Sequence, residues 1–171
     1  MIHLIGVNHT FQVRAMKHTR EGGLDNYGSR HLALSFENYL NDAIDRLEPQ
    51  VVGEEYGLKQ LQSKLVVDDQ AYLVAEKVCR TRGVKYVFCD PDQSERDELY
   101  AAHGTTEAED AKNGFPIREQ EWLKRIGKLL PTDSIIFICG ADHVPSFHLK
   151  LNASNLDASI ICEDFGANYG H

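Results

Sequence analysis

Two stretches of the chain share the spacing Gly-x-x-His: Gly6-Val7-Asn8-His9 near the start and Gly140-Ala141-Asp142-His143 near the end. Between them stand the adjacent acids Glu54 and Glu55 and, later, Arg118. Imidazole and carboxylate brought together have three chemical uses. They bind a divalent metal such as Mn, Zn or Fe, whereas sites made of oxygen alone favour Mg or Ca. A His can serve as general base while a Glu orients it or acts as acid. Crowded carboxylates raise one another's pKa and so keep a proton available near neutral pH. Arg118 can bind an anionic group or brace the glutamates. Asp90 and Asp142 are equally suited to capping a helix.

Residues so far apart share a site only if the fold gathers them. Five short apolar runs, Ile2–Val7, Gln50–Gly53, Val84–Cys89, Ser134–Cys139 and Ala158–Cys162, are continuous and rich in Val and Ile. That is the pattern of strands covered on both faces. Helical spacing separates them. Ser29 is a candidate N-cap before Leu32, Phe36, Leu40, Ala43 and Leu47, and Pro49 ends that stripe. A second helix is expected over Asp68–Arg82, stopped by Gly83. Pro116 opens a third, with Trp122, Leu123, Ile126 and Leu130 on its apolar face, and Val144–Leu151 is a fourth. The alternation implies an α/β domain spanning 1–171: an open, mostly parallel five-stranded sheet with helices on both faces. Ligands bind such sheets beyond the carboxyl ends of the strands. There the runs lead into His9, Glu54 and Glu55, Asp90, Asp142 and His143, and Glu163 and Asp164. Segment 90–115 is long, polar and without an apolar stripe, and is expected as a loop or lid.

Composition narrows the function classes. The 171 residues carry 18 Lys+Arg against 26 Asp+Glu, a net charge of −8, so broad nucleic-acid binding is not expected. Hydrophobic residues make up 42%, enough for a packed core. No apolar run approaches the roughly 20 residues of a membrane span, and Met1–Val7 is too short for a signal peptide's apolar region. Cys79, Cys89, Cys139 and Cys162 form no CxxC pair; Cys89, Cys139 and Cys162 end apolar runs and read as small buried hydrophobes, and a reducing cytoplasm is expected. Phosphate-loop and dinucleotide fingerprints are missing, so no nucleotide cofactor is expected. No Gly-x-Ser-x-Gly elbow or His-Glu-x-x-His is present. Arg14, Lys17, His18 and Arg20 form the one basic stretch, a solvated loop or a steering patch for an anionic substrate.

The two Gly-x-x-His motifs, the glutamate pair and Arg118, in that order and at those strand ends, resemble the TraB/Tiki/ChaN/erythromycin-esterase superfamily. Its members include membrane-tethered metal-dependent proteases, antibiotic esterases and an iron- or haem-associated lipoprotein. The resemblance implies that His9, Glu54, Glu55, Arg118 and His143 are active-site positions. This chain is far shorter than most members, so their substrates do not carry over. The resulting expectation is a hydrolase, esterase or peptidase-like, acting on a small molecule or peptide. His9, Glu55 and His143 would hold a divalent metal or serve as bases. The rival expectation is a non-catalytic protein binding a metal or small molecule in the same crevice. No nucleic-acid or membrane partner is expected, and a homo-oligomer is left open.

Overall fold

Runs of Val and Ile with no polar alternation can be buried only between two covering layers. A computed structural model describes residues 1–14, 26–59, 62, 72–131 and 134–167 and builds such layers. In chain order the elements are β1 (Ile2–Val7), α1 (His9–Gln12), β2 (Val13–Arg14), α2 (Asn26–Leu47), β3 (Val51–Glu54), β4 (Tyr72–Leu73) and α3 (Val74–Arg82). There follow β5 (Lys85–Phe88), α4 (Gln93–Ala102), α5 (Glu107–Lys112), α6 (Pro116–Gly127), β6 (Ile135–Gly140), a 3-10 turn (Ala141–His143), α7 (Val144–Ala153) and β7 (Ala158–Phe165). Five strands form one sheet in the order β5-β3-β6-β1-β7, all parallel, so the α/β expectation is met. β2 and β4 make a small antiparallel pair apart from it.

Each face of the sheet has its own core. Phe36, Leu40 and Ile44 of α2 and Val78 of α3 pack with Ile5, Val7, Val52, Ile136 and Ile138 on one face. Trp122 and Ile126 of α6 and Phe147 and Leu151 of α7 pack with Leu4, Ile135 and Phe137 on the other. The chain thus moves outward from β1 along one face to β3 and β5. It then returns along the other face to insert β6 beside β1. The carboxyl ends of β1 and β6 lie at this switch, the place where such sheets bind ligands.

Gly6 is fixed by that packing. A Cβ there would sit 1.8 Å from the Glu163 carbonyl oxygen and 2.7 Å from Val144 Cγ2. The first Gly-x-x-His glycine therefore lets β7 close against β1, beside the register shifts of β7 along Ile5–Val7.

Three expectations change. Segment 90–115 is not a loop, because α4 and α5 occupy most of it. Both are polar helices with one buried residue each, Tyr100 and Asp110. Reciprocal capping boxes, Asp92 with Glu95 and Thr106 with Glu109, start them in place of an apolar stripe. Ser29 lies inside α2, which begins at Asn26, so it is not the N-cap. The helix expected from Asp68 begins at Val74; positions 68–71 lie outside the described residues, as do Lys17, His18 and Arg20. Gly83 ends that helix in the left-handed region, φ 70°. Among the described residues no helix is long and apolar enough to cross a membrane.

Candidate functional site

Consecutive residues of an extended strand point to opposite sides, and this separates the glutamate pair. Glu55 emerges on the α6 side. Its Oε2 accepts the Gly140 backbone N–H at 2.6 Å, and its Oε1 lies 2.9 Å from Arg118 Nη2. The glycine of the second Gly-x-x-His motif therefore works through its amide. Arg118 also grips Asp90 through two parallel bonds, Nε to Oδ1 and Nη2 to Oδ2, each 2.8 Å. Trp122 Nε1 donates to the same Asp90 Oδ1 at 2.8 Å, and Arg96 Nη1 stands 3.6 Å from Oδ2. Asp90 is a clamp for Arg118, not a helix cap. A cap role falls instead to Asp110, which accepts the N–H groups of Ile117 and Arg118 at the start of α6.

His143 completes this side. It is buried, with Phe115 and Trp122 rings 4.3 and 4.8 Å from its own. Nδ1 lies 3.2 Å from Glu119 Oε1, and a carboxylate there fixes Nδ1 as the protonated nitrogen. Glu119 is itself held: Ser146 Oγ donates to it at 2.5 Å and Lys150 Nζ stands 3.6 Å away. His143 Nε2 is 3.7 Å from Glu55 Oε1, outside hydrogen-bond reach, and makes no hydrogen bond among the described residues. A cleft of about 310 Å³ opens there, lined by Val7, Asn8, Phe115, Arg118, Gly140, Ala141, Asp142, His143 and Asp164. Phe115 lines it from a left-handed conformation, φ 56°, costly for a bulky residue.

Glu54 belongs to the opposite layer. It is fully buried, with Tyr86 Oη donating to its Oε2 at 2.5 Å. Burial pushes its pKa up to about 7, against the pull of the Tyr86 hydroxyl and the polar Gln12 side chain. Burial likewise lifts the Cys79 and Cys89 thiols to about 12 and Cys139 well above its ordinary value, so these thiols are poor nucleophiles. All four cysteines are free.

The fold therefore brings Glu55, Arg118 and His143 together and sets Glu54 apart. His9 heads α1, directly after β1; its side chain lies outside the described residues. Glu119 was not expected. It falls three and seven positions before Trp122 and Ile126, on the apolar stripe of α6, which is a readable sign of a buried carboxylate. Among the described residues no three His, Cys, Asp or Glu groups are arranged to hold a metal. The donors explain this, since Glu55 already faces a guanidinium and an amide, and a second cation beside Arg118 would be repelled.

The fold and the cleft define an open parallel α/β protein with a charged site at the carboxyl edge of its sheet. No protein-family model, curated protein or solved structure matches the chain.

Proposed function

We propose that the cleft hydrolyses a carboxylic ester, with His143 as general base. One observation carries this: the relay from Glu119 to His143 Nδ1, with Nε2 left to the cleft beside Arg118. Nε2 takes a proton from water as the water oxygen bonds to the acyl carbon. The acyl–oxygen bond then breaks, and the same proton passes to the departing alkoxide. One ester and one water give one acid and one alcohol. Arg118 Nη1 makes no hydrogen bond among the described residues and faces the negative charge that develops on the carbonyl oxygen. Glu55 holds Arg118 in place; it is a positioning residue and not a second base.

The assignment of His143, Glu55 and Arg118 agrees with the superfamily resemblance, and four free cysteines suit a reducing cytoplasm. The test is turnover of carboxylic ester, thioester, phosphoester and peptide probes by chelator-treated protein. Carboxylic esters should be cleaved. His143→Gln should lower kcat by about 10³-fold and Glu119→Gln by about 10²-fold, within the usual range for a general base. Stoichiometric binding without turnover on any probe, or full activity in His143→Gln, overturns the reading.

A further inference from the structure

Among the described residues the charges around the cleft do not balance, and the imbalance selects a ligand. Arg118 is the one Lys or Arg among the described residues lining the cleft, and its charge is already shared between Asp90 and Glu55. Asp142 and Asp164 line the same cleft, are exposed, and form no ion pair among the described residues. Beneath them lies His143, buried to 4% exposure, with Nε2 lacking a hydrogen-bond partner among the described residues. That group points to a ligand independently of the two acids. Phe115 adds an aromatic surface to the wall.

We propose that the ester taken by this cleft carries an organic cation, a quaternary or protonated amine, seated between Asp142, Asp164 and the Phe115 ring. The proposal rests on the hydrolytic reading of the same site and adds its substrate class. An anionic substrate would meet two carboxylates that pair with no described cation, and would compete with Asp90 and Glu55 for Arg118. A neutral ester would gain nothing from the rim. A soft cation gains attraction to both carboxylates and to the aromatic face. The volume suits a small molecule with its acyl carbon near His143 Nε2.

Acetylcholine and its uncharged carbon isostere, 3,3-dimethylbutyl acetate, separate charge from shape. Because the two carboxylates are exposed and screened, kcat/KM should favour the cationic ester by about tenfold at low salt and by less at high salt. The Asp142→Asn/Asp164→Asn double variant should bring the ratio of the two close to one. Equal use of both esters by the wild type, or a ratio unmoved in the double variant, overturns the proposal. Calorimetric binding of choline separates the two claims. If neither ester is cleaved but choline binds to the wild type and not to the double variant, the cation site stands and the hydrolytic reading falls. If choline does not bind and neither ester is cleaved, both fall.

Discussion

Glu54 and Glu55 share a residue type and a peptide bond, yet they live in different media. Glu55 faces a guanidinium, a backbone amide and an imidazole beside an open cleft. Glu54 faces Tyr86 and Gln12 within a closed layer whose other occupants are apolar. The first environment supplies positive charge to offset desolvation; the second supplies the Tyr86 hydroxyl and, among the described residues, no cation, so the carboxyl there keeps its proton up to about pH 7. One strand end thus carries an ion-paired carboxylate towards the site and a neutral acid away from it. The difference comes from the pleat of the strand and the layers on either side.

The largest effect should come from removing the cation that defines the Glu55 side. Arg118→Met leaves Asp90 and Glu55 buried without their shared partner, at a cost of about 3–5 kcal/mol in denaturant unfolding. Adding Glu55→Gln should recover part of that loss. A cost under about 1 kcal/mol would show that this face does not depend on its ion pairs.

Glu54 should respond to pH in the opposite manner to a paired carboxylate. Its folded pKa is raised from 4.5 to about 7, so the folded state holds a proton that the unfolded chain releases. Its contribution is full below about pH 4.5 and is lost as pH rises to about 7, a change of roughly 3 kcal/mol. Glu54→Gln keeps an acceptor for Tyr86 and cannot ionise. The variant should match the wild type near pH 4 and exceed its stability by about 3 kcal/mol near pH 8. Parallel stability profiles for the two proteins would mean that Glu54 is ionised and paired after all.

The same contrast shows what a sequence reveals. Strand positions were legible because parallel strands buried on both faces must be apolar throughout, and β1 and β6 follow their runs to within a residue. Helices α4 and α5 were not, since neither buries an apolar stripe; their capping boxes were the available signal. Within the site, Glu55, Arg118 and His143 stood out by type and position at strand ends or in the late helix. Asp90 looked like a cap because a clamp is defined by its partner, and Arg118 lies 28 residues away. The opposite facing of Glu54 and Glu55 could have been read from strand alternation alone.

A smaller effect is expected where the scaffold meets the site. Asp110 caps α6 through two N–H groups and also accepts from Tyr100 Oη at 3.2 Å. Asp110→Ala should cost about 2 kcal/mol, the upper range for a lost helix cap. Phe115 should stay anchored, because its N–H donates to the backbone carbonyl of residue 110 at 2.8 Å, which the substitution keeps. Retained stability would move the anchoring of α6 onto the Arg118–Asp90 clamp alone.

The smallest stability effect tests the relay behind His143. Ser146 Oγ donates to Glu119 Oε1, the same oxygen that faces His143 Nδ1. Ser146→Ala removes one neutral donor and leaves Lys150 Nζ near Oε2, so unfolding should change by about 1 kcal/mol. The informative measurement is the imidazole itself. With a single donor lost, Glu119 still accepts from Nδ1–H, and ¹⁵N NMR should report the same tautomer in Ser146→Ala as in the wild type. Glu119→Gln should disturb it, because an amide can present either a donor or an acceptor to Nδ1. If both variants leave the tautomer unchanged, Glu119 does not set it. The cleft would then lack the oriented base that distinguishes the Glu55 side of the sheet from the Glu54 side.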